Sequence, residues 1–150
     1  MEQAGLTTVE QRAWFGLLAL VAQGLPEVER TTRRHGLVYF EYLLLAELAT
    51  APDGHRMSEL AHCVQASPSR LSHRMRKLVE LGYAEQCRSE SDGRVSVARI
   101  TERGRQVVDQ VGPAIVQEVR RLVFDPLEPE QVAALADALE AIAANGPADR

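Results

Sequence analysis

The sequence lacks most of the features that define large classes of protein. Its two cysteines, Cys63 and Cys87, are too few for a disulfide framework, so a reducing, cytoplasmic location is the simpler expectation. No apolar run approaches the ~18 residues of a membrane span, and the first residues lack the basic and apolar regions of a signal peptide. The four histidines have no Ser, Cys or acidic partner at a recognisable catalytic spacing. These absences argue against a membrane protein, a secreted protein and an enzyme.

A metal centre has little support either. His55, His62 and Cys63 lie near one another in the sequence, but their spacing matches no strong zinc signature. His62 and Cys63 are also adjacent, so they point in different directions on a helix. We therefore expect no metal and no cofactor. Cys63, expected to be partly buried, or Cys87 could be a regulatory thiol, although an inert packing role is the simpler interpretation.

Charge is unevenly distributed along the chain. The 150 residues are 45% hydrophobic, which fits one compact domain or a small domain with arms that need a partner. Residues 53–105 contain ten Lys/Arg and seven Asp/Glu, a balance of +3, whereas the remainder contains seven and fourteen, a balance of −7. Such a polarised molecule directs its basic part toward a polyanion. Only one of the 17 cations is lysine, and arginine suits phosphate and guanine edges, although GC-rich coding would produce the same bias.

The basic centre, residues 57–104, combines two short helical patterns, a glycine stop and a hairpin. Ser58 is expected to cap the first helix, which ends near Cys63. Ser67 is expected to cap the second, with Pro68 at the position where a missing N–H costs nothing, and Gly82 is a suitable stop. The expected buried face of this second helix consists of Leu71, Met75, Leu78 and Val79. The runs 83–88 and 95–100 are β-prone and flank a turn, so they are predicted to pair.

Three outer helices are predicted on either side of this centre, over residues 8–30, 101–124 and 128–144. The first is predicted to begin at the capping-box spacing of Thr7 and Thr8 with Glu10 and Gln11, and the polar segment 30–36 is predicted to be a break. Thr101 is expected to cap the second helix. Each helix has one apolar stripe, and the central unit is too small to cover all three. The economical solution is that they interlock with the same helices of a second copy in a two-fold dimer.

The fold class predicted is mainly α (α+β): a winged helix-turn-helix with a two-stranded β-wing, flanked by N- and C-terminal dimerisation helices. In this division, residues 1–36 and 101–150 form the dimerisation region and residues 37–100 form the DNA-binding region, within a single intertwined domain. A helix with a short, polar, cationic exposed face can enter the major groove of duplex DNA. We expect Ser69, Arg70 and His73 to read bases, and phosphate to be bound by Ser67, Arg74, Arg76 and Lys77.

The tip of the hairpin supplies a second candidate contact. Arg94 follows a tight Asp-Gly turn, and a lone arginine on a wing matches the narrow, negative minor groove of A·T-rich DNA. Asp92 could orient its guanidinium through a charge-assisted hydrogen bond. An ordinary hairpin with a solvent-exposed cation explains the position equally well. Arg88, in the first wing strand, is the remaining candidate for DNA contact.

The same segment resembles the multiple antibiotic resistance regulator (MarR) family. The residues that carry the resemblance are Leu60-Ala61, Ser69, Leu71, Leu78, Leu81-Gly82-Tyr83, Arg88, Asp92-Gly93-Arg94, Ile100-Thr101 and Gly104. In that family a Leu-rich recognition helix ends at a Gly, the wing carries Asp-x-Arg, and Leu-Thr-x-x-Gly opens the next helix, where this chain has Ile100. The resemblance covers nearly the whole chain. It implies a homodimeric regulator, usually a repressor relieved by a small ligand or by oxidation, with Arg94 in the minor groove and Asp92 supporting it.

The effector is harder to deduce. Many relatives bind aromatic acids between the dimer helices and the DNA-binding lobe, and the residues near that junction are Trp14, Phe15, Arg34, His35, Tyr39 and Tyr42. Aromatic residues at helical spacing are also common as plain core. The oxidation-sensing branch uses a cysteine in the first helix, which this chain lacks there.

The partners expected are therefore double-stranded DNA, a second copy of the chain and a small-molecule effector, with no membrane. The alternative is a winged helix that serves as a protein-interaction module without sequence-specific DNA binding.

Overall fold

A computed structural model of the chain describes residues 5–88 and 95–145. Within these two ranges the chain forms seven α-helices, two π-helical segments and three short strands. In chain order the regular elements are α1 (Thr8–Ala19), α2 (Leu25–Arg33), α3 (Tyr39–Thr50), β1 (His55–Arg56), α4 (Met57–Cys63), α5 (Pro68–Glu80), β2 (Ala84–Arg88), β3 (Ser96–Ile100), α6 (Glu102–Val119) and α7 (Pro129–Ala144). None of the helices in the described ranges has the length and apolar character needed to cross a membrane.

The N-terminal helices form one continuous rod. Thr7 caps α1: its side chain accepts a hydrogen bond from the Glu10 N–H, and the Glu10 carboxylate accepts one from the Thr7 N–H, which confirms the predicted capping box. A π-helical segment, Leu20–Gly24, joins α1 directly to α2. The predicted end at residue 30 is therefore wrong, because α2 continues to Arg33 and the break comes at residues 34–36.

The main core lies where α3, α4, α5 and the strands meet. Leu44, Leu45 and Leu48 of α3 are fully buried there, together with Leu60 of α4. The α5 residues that complete this core are Leu71, Met75 and Leu78. Val79, which was also predicted to be buried, is 39% exposed, so the buried stripe of α5 is narrower than its sequence suggested.

Helices α4 and α5 form the helix-turn-helix. Ser67 caps α5 as predicted, accepting a hydrogen bond from the Arg70 N–H. The predicted cap of α4 is wrong: the helix begins at Met57, and its N-cap is Arg56, two residues before Ser58, with the Arg56 N–H donating to the Glu59 carboxylate. Gly82 follows α5 at φ +72°, in the left-handed conformation that a glycine stop requires.

The sheet contains three antiparallel strands in the order β1–β3–β2. The predicted hairpin is present, with a register that runs from Ala84 opposite Ile100 to Arg88 opposite Ser96. The sequence did not indicate β1, which is only two residues long and pairs with β3. Gly54 precedes it at φ +90°, and a Cβ there would lie 2.6 Å from the carbonyl oxygen of Ala98, so the chain can approach β3 this closely only with glycine.

A smaller cluster joins the outer helices to the centre. Val28 of α2, Tyr42 of α3, and Val111 and Ile115 of α6 are buried against one another. Helix α6 begins at the Thr101 cap and is extended by a second π-helical segment, Arg120–Phe124. By contrast, neither α1 nor α7 buries any residue.

Candidate nucleic-acid interface

The polar residues of α5 divide into two groups that lie on different sides of the helix. Arg70, Arg74 and Lys77 follow one another at helical spacing and all contact α3. Ser69, His73 and Arg76 have the same spacing one position away, and all three side chains are exposed. The sequence grouped these residues by their proposed targets, bases or phosphates. The structure separates them by whether they contact the scaffold.

The contact of Arg74 and Lys77 with α3 is made through a single carboxylate. Glu41 lies in the first turn of α3 and is fully buried. Its Oε1 accepts a hydrogen bond from Arg74 Nη1 at 3.1 Å, and its Oε2 accepts one from Lys77 Nζ at 2.9 Å. The Val38 N–H donates to the same Oε2 at 3.0 Å, so both carboxylate oxygens have partners. The two cations are 34% and 41% exposed, which leaves Glu41 as the only fully buried member of the group.

These partners keep Glu41 ionised. Burial raises the pKa of its carboxyl group, which is the largest single effect, but the hydrogen bonds from Lys77, the Val38 N–H and Arg74, with the charge of Lys77, together outweigh it. The pKa of Glu41 is consequently lower than its ordinary value. A buried, ionised carboxylate with two charged partners is a strong geometric constraint, because the loss of both cations would leave its charge unpaired in the interior.

Arg70 is attached to α3 by a different interaction. Its guanidinium carbon lies 4.3 Å from the centre of the Phe40 ring, within the range of a cation–π contact. Arg70 and Ser67 thus occupy the start of α5, and Ser67 Oγ also lies 3.3 Å from Ser69 Oγ. The hydroxyl groups at this end of α5 are exposed together with Arg70.

The wing strands carry further exposed cations. Arg88 lies at the end of β2 with its side chain exposed. Asp92 and Arg94, the predicted wing-tip residues, lie outside the described residues, so their proposed roles stay predictions. A cleft of about 700 Å³ on the outer side of the sheet is lined in part by Arg56, Arg88 and Arg99. The sequence did not single out Arg56 or Arg99, because β1 brings them together only in three dimensions.

The residues proposed for ligand binding fall into separate parts of the structure. Tyr39 and Tyr42 stack on each other, with ring centres 6.3 Å apart, and burial raises the pKa of both hydroxyls. Trp14 and Phe15 are 52% and 65% exposed on α1. The exposed pair that follows α2 is Arg34 and His35. None of the six lines the cleft beside the sheet or a second cleft beside α2, and the ligand site stays a prediction.

Cys63 and Cys87 do not form a disulfide bond with each other. Both are exposed, so the expectation that Cys63 would be partly buried is wrong. Partial desolvation and the neighbouring Glu47 carboxylate raise the pKa of the Cys63 thiol, which disfavours the reactive thiolate.

Comparison with known proteins places this fold in a defined group. A family model for the transcriptional regulators SarA/Rot matches residues 28–111. Two solved structures from Streptomyces coelicolor are each 33% identical with a TM-score of 0.89: the MarR family regulator AbsC (95% of this chain and 97% of the other covered) and the MarR family regulator Sco3205, solved in complex with DNA (95% and 90%). CouR from Rhodococcus jostii RHA1, solved with p-coumaroyl-CoA, is 22% identical with a TM-score of 0.78, covering 90% and 95%. No curated protein sequence matches at a significant level.

A basic helix-turn-helix beside a small antiparallel sheet, in a mainly helical chain, defines a winged-helix DNA-binding regulator of transcription. The identity to AbsC and Sco3205 extends over almost the whole of all three chains. The chain belongs to the MarR family of transcriptional regulators. This confirms the predicted fold class and the family inferred from the sequence.

Proposed function

We propose that the chain is a homodimeric repressor that binds a pseudo-palindromic operator and releases it when a small aromatic ligand binds. The single observation that carries the dimer is the position of the exposed apolar side chains. In the described residues, fourteen large hydrophobic side chains are exposed, and twelve of them lie on the outer helices, on their π-helical segments or just before the α1 cap: eight at positions 6–25 and four at positions 116–142. The twelve are Leu6, Val9, Trp14, Phe15, Leu18, Leu20, Val21, Leu25, Val116, Phe124, Leu139 and Ile142.

A second copy of the chain is the partner that fits these faces best. Exposed apolar side chains concentrated on the outer helices mark an interaction surface, because isolated surface hydrophobics would be scattered. Helices α1 and α7 bury nothing within one copy. A two-fold axis would bring the same faces of two copies together and cover both at once. Residues 1–36 and 101–150 are the proposed dimerisation region, and residues 37–100 the proposed DNA-binding region.

The two-fold arrangement would present two α5 helices to the DNA. We propose that Ser69, His73 and Arg76 meet the major groove, that Ser67, Arg70 and Arg88 bind beside them, and that Arg94, supported by Asp92, enters the minor groove. Half-sites should then lie about one helical turn apart, roughly 10 bp from centre to centre. Sco3205, with the same fold, is a relative that was solved with DNA. Because duplex DNA is the proposed partner, we place the protein in the cytoplasm.

The proposed effector site lies where α3 meets α6 and the N-terminal rod. The stacked Tyr39 and Tyr42 provide flat, partly apolar surfaces there, and Arg34 and His35 could supply the charge that an acidic ligand needs. CouR holds an aromatic acyl thioester. That the protein represses transcription is inferred from the family resemblance.

The test is a binding titration with a matched measurement of mass. Sedimentation should give twice the chain mass, and fluorescence anisotropy with a duplex from the promoter upstream of the coding sequence should show binding that weakens steeply between about 50 and 200 mM salt. A stable dimer without DNA binding, together with capture of a defined protein partner, would favour the interaction module instead.

A thermal-shift screen with aromatic acids tests the effector site, and a flat response would count against it.

A further inference from the structure

We infer that Glu41 is a positioning residue for DNA recognition: it holds Arg74 and Lys77 away from the DNA phosphates and fixes the orientation of α5. The inference rests on the proposed role of α5 as the helix that meets DNA. It reassigns two of the residues that the sequence proposed for phosphate contact. The helix is then left with Ser69, His73 and Arg76 as its free DNA-facing side.

The geometry gives each cation a definite partner. Arg74 and Lys77 lie on successive turns of α5, and both reach the same carboxylate, on α3, at 3.1 and 2.9 Å. Glu41 itself is held by the N–H of Val38 at the start of α3. The three hydrogen bonds therefore join two turns of one helix to the first turn of another, through a side chain that is fully buried.

The competition between this carboxylate and a phosphate favours the carboxylate. Arg74 and Lys77 share one full negative charge, the Glu41 carboxylate, which both contact on their protein side and which is itself buried away from water. A phosphate that approached either cation would meet that charge behind it, which offsets part of the attraction, and Arg74 Nη1 and Lys77 Nζ already donate to the carboxylate. Arg76 has no such partner among the described residues and is exposed. Arg76 can therefore release DNA counterions on binding, whereas Arg74 and Lys77 contribute little to that release.

The same contact restrains the helix mechanically. Apolar packing of Leu71, Met75 and Leu78 fixes the distance of α5 from the core, but it permits small rotations about the helix axis. Hydrogen bonds of defined direction on two successive turns oppose such rotation. The Arg70–Phe40 contact lies on the same side and adds to this restraint. Base readout depends on the direction of a few side chains, so a rotated α5 would lose discrimination between sequences before it lost general affinity for DNA.

The decisive experiment compares single variants of the full-length protein on a mixed-sequence 30-bp duplex. Binding constants are measured by anisotropy over a series of salt concentrations, and the slope of log K against log salt counts phosphate contacts. We expect Arg76→Ala to make the slope shallower by about 0.9 per recognition helix. We expect Arg74→Ala and Lys77→Ala to leave the slope at the wild-type value.

A second pair of variants examines the carboxylate directly. Glu41→Gln frees both cations, so we expect a slope on mixed-sequence DNA that is steeper by about 1 to 2 per recognition helix. We also expect a roughly tenfold or greater fall in the preference for a duplex selected from a random pool by the wild-type protein. Glu47→Gln removes another carboxylate from the same helix without touching α5, and we expect it to leave both quantities unchanged. Melting followed by circular dichroism establishes that each variant is folded.

Two results would overturn the inference. If Arg74→Ala or Lys77→Ala reduces the slope as much as Arg76→Ala does, the cations bind phosphate and Glu41 does not withhold them. If folded Glu41→Gln keeps the wild-type slope and preference, Glu41 positions nothing. Should Arg76→Ala also leave the slope unchanged, α5 does not meet the DNA, and the proposed function fails together with the inference. The alanine variants decide the question even if Glu41→Gln does not fold.

Discussion

The centre of the molecule and its outer helices differ in how they satisfy their apolar residues. In the centre, Leu44, Leu48, Leu60 and Leu78 are fully buried within one chain. In the outer helices α1 and α7, no residue is buried at all. Most of the stability of a helix in a protein comes from packing of its apolar face. A helix that buries no residue is therefore only weakly stabilised within its own chain. The centre is therefore stabilised within one chain, and we expect α1 and α7 to be stabilised by the second copy of the proposed dimer.

The largest expected effect comes from breaking the proposed dimer. Phe15→Glu places a charge on the most exposed aromatic residue of α1 and should prevent two copies from associating. Sedimentation should show the mass of one chain. Affinity for a selected two-half-site duplex should fall roughly 10²- to 10⁴-fold, because the second half-site no longer binds within the same complex.

Leu43→Glu is the matched control, since Leu43 is also exposed but belongs to the central helix α3. It should leave the association intact. If Phe15→Glu sediments as the wild-type protein does, the exposed face of α1 is not the interface.

The next largest effect is expected from a substitution at Gly104, where α6 contacts the central region. Gly104, in the first turn of α6, lies against the end of α5 and the start of β2, and a Cβ there would be 2.1 Å from the Tyr83 carbonyl oxygen and 2.8 Å from Ile100 Cγ1. Gly104→Ala should therefore lower the free energy of unfolding by about 1 to 3 kcal/mol. Urea denaturation measures the change. Gln110→Ala, at an exposed position of the same helix, serves as the control, and equal losses in the two variants would contradict the steric account.

The third effect is a pH dependence that arises in the centre, at Glu41. The pKa of Glu41 is lower in the folded chain than its ordinary value of 4.5, so the unfolded chain binds its proton first as the pH falls. The stability that Glu41 contributes is thus complete above about pH 4.5 and is lost as the pH falls through its folded pKa. Denaturation between pH 6 and pH 3 should show a smaller decline in Glu41→Gln than in the wild-type protein. An identical decline in both would remove Glu41 as a source of acid sensitivity.

The smallest expected effect is the difference in stability contributed by two threonine N-caps, Thr101 of α6 and Thr7 of α1. Thr101 caps α6 by accepting from the Gly104 N–H at 3.1 Å, and its hydroxyl also donates to the Gly82 carbonyl oxygen at 2.7 Å. Thr7 caps the exposed α1, and within residues 5–88 and 95–145 its side chain has no partner beyond its own helix. Thr101→Ala should cost about 1 to 2 kcal/mol and Thr7→Ala about 0.5 kcal/mol, as measured by thermal unfolding. A larger loss in Thr7→Ala would mean that α1 is more firmly held than its exposure indicates.

Local chemistry was predictable from the sequence, and contacts between distant segments were not. The caps at Thr7, Ser67 and Thr101 were predicted correctly because each involves neighbours three residues away. The pairing of Glu41 with Lys77 spans 36 residues, and nothing in the local pattern distinguishes a glutamate that will be buried from one that will be solvated. The division of α5 into a held side and a free side therefore required the structure.

The strands show the same limit. Residues 83–88 and 95–100 were predicted to pair because each run is long enough to have a β-prone composition, and the strands observed are 84–88 and 96–100. Strand β1 has two residues, His55 and Arg56, and exists only because β3 passes beside it. The sites proposed for DNA and ligand contact follow from residue type and position, and the variants above are what will test them.

The π-helical segment within the N-terminal rod allows the two halves of the rod to face two different surfaces. A π-helical turn accommodates one additional residue, and one residue corresponds to about 100° of rotation around a helix. The segment Leu20–Gly24 therefore turns the side chains of α1 out of phase with those of α2. Val28 and Thr32 point into their own chain, while Trp14 and Phe15 point away from it. The extra residue thus rotates the apolar stripe around the rod. Without it, the apolar side chains of α1 and α2 would face the same direction, and the rod could pack against its own core or against a partner but not against both.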